Sequence, residues 1–251
     1  MKQFLYLCLL FCGIFSSCQS AHYQLQTIEG RQLEIDQSIP GNDSLETFIA
    51  PYRERISREM NRVLSYAPEH LNKNQGDLNS PLGNMMADAV MEMAGPIFTK
   101  RTGKNLDIVL LNHGGIRAGI SQGDISVGTA FELMPFENEV VVAALDAAGV
   151  RAMVDYLANE QVPHPLAGMQ IILDGQDQPA KVLVGGRPIK EGRTYYVATN
   201  DYLYEGGDRM TFFSASQNRS MLDYKIRNLL IDYFQKKDTI TATTDNRFIR
   251  R

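Results

Sequence analysis

The chain has 251 residues, a formal net charge of −4, no tryptophan and three cysteines. A length of this order supports one large domain or two small ones. The acidic balance speaks against nucleic acid held on a basic face, because Lys236-Lys237 and Arg250-Arg251 are only short surface or terminal charges.

Lys2 followed by the apolar stretch Phe4 to Phe15, too short to span a bilayer, reads as an export signal. Phe15-Ser16-Ser17-Cys18 resembles a bacterial lipobox, with Phe15 where leucine is usual. The expectation is a signal peptide over 1–17, lipid attachment at Cys18, and a lipid-anchored place in the bacterial cell envelope, periplasmic or on the outer membrane. The alternative is a secretory signal cleaved near Ala21. Cleavage before Cys18 removes Cys8 and Cys12, leaving no intrachain disulfide and no cysteine-type zinc site.

Residues 18–42 are expected to form a tether or edge strand, since His22 to Gln37 alternates polar and apolar side chains. A domain over 43–251 follows. Leu45, Phe48, Ile49, Tyr52, Ile56, Met60, Val63 and Leu64 keep helical spacing behind an Asp43 or Ser44 cap, with Pro51 marking a kink or a start. Asn79 or Ser80 caps a second helix whose buried stripe is Leu82, Met85, Met86, Ala89, Val90 and Met93. Asn84 and Asp88, four apart on one face, are assigned to hydrogen bonds with neighbouring loops rather than to a cation. Strands are expected over 106–112, 139–145, 169–173, 181–184 and 194–199. Helices are expected over 126–133, 147–158 and 221–234, and one more strand in the tail 239–249.

The richest segment is Asn112-His113-Gly114-Gly115-Ile116-Arg117. A buried strand ends there, two glycines let backbone N–H groups approach a ligand, and Arg117 offers a planar fork suited to phosphate or carboxylate. By chemistry alone the segment reads equally well as a tight turn.

Taken in order, Ser80-Pro81-Leu82-Gly83-Asn84, Asn112 to Arg117, Gly123-Asp124-Ile125, Pro135-Phe136-Glu137-Asn138, Asn200-Asp201-Tyr202-Leu203 and Gly206-Gly207-Asp208 resemble the C-terminal domain of the 5′-nucleotidase family. That resemblance implies an α+β fold, one compact domain of helices layered on mixed β-sheets. It implies a nucleotide or nucleoside ligand contacted by Asn112, Gly115, Arg117, Phe136, Asn138 and Asp208, with Phe136 stacking on the base. His113, Met210 and Phe212 are further candidates. Arg209-Met210 fills the place after Gly-Gly-Asp where a second aromatic is expected, and Met210 would pad the base through its sulfur. The family has an arginine shortly before the Leu-Gly-Asn motif, but the segment Asn74 to Leu82 contains none, and Lys73 is the nearest cation.

The family's hydrolysis uses two metal ions in a separate metallophosphatase domain, one activating water while both neutralise phosphate charge. This chain has four histidines and no Asp-x-His or Gly-Asn-His-Asp/Glu motif. The resemblance therefore implies no catalytic residue, metal or cofactor in this chain. It implies a recognition half serving nucleotide catabolism with a separate metallophosphatase protein that carries the divalent pair. The alternative is a non-catalytic surface module that retains the fold. A serine-hydrolase reading of Gly119-Ile120-Ser121-Gln122-Gly123 fails on context, because no strand precedes Ser121 and no helix follows it.

Overall fold

The computed structural model describes residues 25, 27–36 and 38–251. The signal peptide, the lipobox and Cys18 lie outside the described residues. Two units divide the chain, Met1–Phe48 and Ile49–Arg251. The described residues of the first unit hold no strand before helix α1 (Asp43–Met60) begins. No residue of α1 is buried, so the apolar spacing read from the sequence leaves Leu45, Ile49 and Ile56 exposed. The helix also stops earlier than its spacing suggests. Val63 and Leu64 belong to strand β1 (Val63–Ala67), which pairs antiparallel with β3 (Gly123–Ser126), and β3 leads into α3 (Val127–Leu133).

The second unit is built on a five-stranded sheet in the order β10 (Arg219–Lys225), β4 (Glu139–Leu145), β9 (Tyr195–Asn200), β2 (Ile108–Leu110), β5 (Leu166–Ala167). β2 and β9 run parallel and the other neighbours antiparallel. β4 is apolar after its first residue because both faces of the sheet are covered. On one face Val109, Val140, Val142 and Ala198 pack with α2 (Pro81–Thr102) and α6 (Ile226–Gln235). On the other, Ile108, Leu110, Ala143, Leu145 and Val197 pack with α4 (Ala147–Glu160). Alternate residues of one strand thus feed two cores, as the twofold side-chain period requires. The fold is α+β, with helices on both faces of a mixed sheet.

A second sheet, β11 (Phe248–Arg250), β6 (Met169–Leu173), β7 (Pro179–Val184) and β8 (Arg187–Pro188), realises the tail strand expected after residue 239. The tail is clasped to the start of α2. Asn79 Nδ2 donates to the carbonyls of Asp245 and Phe248, and Asn84 Nδ2 donates to Asn79 Oδ1 and the Thr243 carbonyl. Arg247 forms a fork on Asp88 at 2.9 and 3.0 Å. The loop-binding role expected of Asn84 and Asp88 is thereby realised. Ser80 caps α2 through Gly83 N–H at 3.1 Å, and Gly103 closes it with φ 72°.

The expected helix over 221–234 is corrected. Residues 219–225 are a strand on β4, and α6 starts only at Ile226. The register breaks between Met221 and Lys225, where Asp223 takes φ 53°. Pairing to an otherwise unfilled edge of the sheet overrides the helical spacing.

Candidate functional site

Three loops leave the same edge of the sheet from three adjacent strands. The 3₁₀ turn His113–Gly115 follows β2, the segment 134–138 precedes β4, and α5 (Asp201–Tyr204) with the turn 205–210 follows β9. They enclose a cavity of about 380 Å³ lined by Asn112, Gly114, Gly115, Arg117, Phe136, Asn138, Tyr202 and Asp208. That volume is within the range of small-ligand sites. Asn112, Gly115, Arg117, Phe136, Asn138 and Asp208, dispersed in sequence, are therefore brought together.

The walls are organised around Asp208. Asn112 Nδ2 donates to its Oδ2 at 2.7 Å, and the Tyr202 hydroxyl donates to its Oδ1 at 2.8 Å. Asp208 N–H donates back to the Tyr202 oxygen at 3.3 Å, and Tyr156 donates to the Asp208 carbonyl at 2.9 Å. The bond to the carboxylate holds the Tyr202 phenol above its ordinary pKa. Asp208 and Arg209 both adopt left-handed backbone, with φ 50° and 61°. Such conformations outside glycine persist only where surroundings impose them, and they concentrate at functional sites.

Two glycines are required by close approach. A Cβ on Gly115 would lie 2.7 Å from Asn112 Oδ1, and one on Gly207 would lie 2.5 Å from the Tyr202 ring. Gly207 thus makes the seat against which Tyr202 rests. Phe136 and Tyr202 are 40% and 47% exposed, so both rings present part of their surface to the cavity. Arg117 Cζ stands 6.0 Å from the Phe136 ring centroid, at the outer limit of a cation–π contact, and Nη1 donates to the Gly114 carbonyl at 3.4 Å.

Lys73 sits behind the turn. Its Nζ donates to the carbonyls of Ile116 and His113 at 2.7 and 3.3 Å, and burial followed by the charge of Arg117 lowers its pKa. His113 N–H donates to Nδ1 of the buried His164 at 3.1 Å. Burial, then His113, push His164 down to about 4, so it is a neutral acceptor that fixes the turn.

Three sequence candidates are placed elsewhere. Met210 is fully buried and Phe212 packs against Tyr156 and Phe213 in the core facing α4, so neither lines the cavity. The ring of His113 turns to Asn74, 3.2 Å from its Oδ1, rather than to the cavity. Met210, Phe212 and Phe213, apolar residues behind a tight turn, are drawn into the core while Thr211 between them stays exposed. Tyr202 is the wall residue that reading missed. A second ring is expected downstream of Gly206-Gly207-Asp208, whereas the turn at Gly206, φ 94°, returns the chain beneath the Tyr202 ring, which lies upstream. Tyr-x₃-Gly-Gly-Asp was the available signal.

Ser121 leads into β3 rather than a helix, which removes the nucleophile elbow. Among the described residues no group of three or more His, Cys, Asp or Glu side chains converges. These residues therefore do not fit a metal pair.

The chain is similar in sequence and fold to known proteins. The cell wall protein Lmo0130 of Listeria monocytogenes is 26% identical over 209 residues, 74% of this chain and 26% of its own length. The trifunctional nucleotide phosphoesterase protein YfkN of Bacillus subtilis is 25% identical over 222 residues, 81% of this chain and 15% of its own. This chain therefore spans no more than about a quarter of these curated relatives. The crystal structure of a 5′-nucleotidase precursor from Thermus thermophilus shares the fold, with a TM-score of 0.68 at 24% identity over 85% of this chain and 44% of that one. Residues 63–215 match the family model for the 5′-nucleotidase C-terminal domain, and the chain belongs to that family.

Proposed function

We propose that the chain is the nucleotide- or nucleoside-recognition half of a 5′-nucleotidase-type phosphohydrolase and acts in nucleotide catabolism. The observation that carries this reading is one cavity holding two exposed rings, Phe136 and Tyr202, with Arg117 beside them. The rings suit a base, the amides of Asn112 and Asn138 suit its edges or ribose hydroxyls, and Arg117 suits a phosphate. Phosphate release is then performed by a metallophosphatase protein supplying the divalent metal pair, since the described residues do not fit one. Calorimetry with AMP and adenosine, alongside phosphate release from AMP in Mg²⁺, Mn²⁺ or Zn²⁺, tests both parts. Micromolar AMP binding without turnover is expected. Robust metal-dependent turnover by this chain alone would sink the division of labour.

A second reading, a binding module with no partner enzyme, is favoured by the segment before α2. Lys73 is bonded there to the carbonyls of His113 and Ile116, and no residue of 73–80 lines the cavity, so that segment adds no cation to it. Lack of binding to any nucleoside in the same calorimetry selects this reading.

We also propose envelope anchoring through acylated Cys18, supported by the sequence around it and by the cell wall relative. Expressed in a bacterium fed an alkynyl fatty acid, the chain is expected to take up label. Equal labelling of a Cys18→Ser variant would overturn the assignment.

A further inference from the structure

Phe136 and Asn138, two of the cavity's walls, hang from a junction that lies beyond the family-matched segment, which ends at residue 215. Three consecutive residues where β10 becomes α6 hold the loop from behind. Lys225 Nζ pairs with the Glu137 carboxylate. Ile226 N–H donates to the Asn138 carbonyl at 2.9 Å. Arg227 Nη1 donates to the carbonyls of Pro135 and Phe136 at 3.1 and 3.3 Å, and Nη2 pairs with Glu137.

Arg227 is the unusual member. Its side chain is only 7% exposed, and its Cζ lies 4.2 Å from the Phe131 ring centroid. A buried guanidinium is costly unless its donors are answered. Those answered here go to residues 135–137, while Nε has no partner. The Phe136 ring stands outside the core, so packing does not fix its direction. The backbone of 135–137 must do so, and Arg227 holds that backbone at two successive carbonyls. Glu137, held at about 2 by Lys225 and then Arg227, remains ionised and keeps the clamp closed across ordinary pH.

We propose that Arg227 is a positioning residue that sets the aromatic wall of the cavity, through the carbonyls of Pro135 and Phe136 and the carboxylate of Glu137. The proposal rests on the nucleotide reading for its ligand, and on geometry alone for the clamp.

The test uses the full chain and two probes, 2-aminopurine riboside 5′-phosphate, whose fluorescence is quenched by stacking, and ribose 5-phosphate, which has no base. For Arg227→Met, affinity for the fluorescent nucleotide is expected to fall about tenfold, with weaker quenching at saturation. Ribose 5-phosphate should bind within about twofold of the parent, because Arg117 is untouched. Amide exchange of Ile226, whose N–H is bonded to the Asn138 carbonyl, should quicken about tenfold without a global change. Arg227→Lys should recover to within about threefold, its ammonium reaching one carbonyl rather than two. Glu137→Ala, on the exposed side of the clamp, should act in the same direction and guards against a misfolded Arg227 variant. Parent-like quenching and exchange in folded Arg227→Met, or parent-like exchange in Glu137→Ala if that variant alone folds, overturns the proposal. Should the parent bind neither probe, the nucleotide reading falls, and the exchange data still decide the clamp.

Discussion

Replacing Phe136 with alanine is expected to weaken AMP binding about tenfold to a hundredfold, because base–aromatic stacking contributes about 1–3 kcal/mol. Tyr202→Ala should match it, by loss of a second wall. Tyr202→Phe should lie nearer the parent, since the ring keeps its seat on Gly207 while losing the hydroxyl bond to Asp208. Phe136 is exposed and Tyr202 lies outside both cores, so folding stability should change little in either alanine variant. The measurement is calorimetry with AMP and with ribose 5-phosphate. Loss confined to AMP assigns the rings to the base. Unchanged AMP affinity in both variants removes the base from this cavity.

Acid should destabilise the domain well above the range in which carboxylates titrate. His164 is buried and accepts the His113 N–H, with Tyr156 tilted against its ring at 5.9 Å. Its folded pKa, about 4, lies below the ordinary value of 6.5. Between these values the unfolded chain binds the extra proton, so stability rises with pH through this window. The contribution is complete above about pH 6.5 and is lost as pH falls toward 4, to a limit of about 3 kcal/mol. Denaturant unfolding at pH 7, 5.5 and 4.5 measures this. His164→Asn, which keeps an acceptor near Nδ1 but does not titrate, should flatten the slope. An equal slope in that variant would assign the acid sensitivity elsewhere. Glu137 does not confuse the window, since its own folded-state contribution is lost only as pH falls from 4.5 toward 2.

Much of the frame was legible because local signals and tertiary demand agreed. The Ser80-Pro81 start of α2, the apolar β4 and the helical spacing over 147–158 each carried a chemical reason visible in the chain. Disagreement arose where long-range pairing decided. Met221, Leu222 and Tyr224 permit a helix, but the free edge of β4 claimed them. Asn112, Gly115, Arg117, Phe136, Asn138 and Asp208, each set in a short motif, line one cavity. Tyr202 was missed because its place depends on a chain reversal, and Arg227 because its role depends on carbonyls that carry no residue identity. Met210 and Phe212 were misread because side-chain type does not reveal which side of a turn faces the core.

The adjacency of β4, β9 and β2 has a dimensional consequence. Neighbouring strands lie about 4.8 Å apart, so the loops at the outer two of the three are separated by about 10 Å, whatever side chains they bear. The sheet acts as a ruler ruled in hydrogen bonds, and its two divisions are close to the width of a nucleoside. Substitutions at positions 112, 136 or 202 can alter what the gauge prefers, but not what span it measures. A ligand of a different girth would require longer loops or another strand between them.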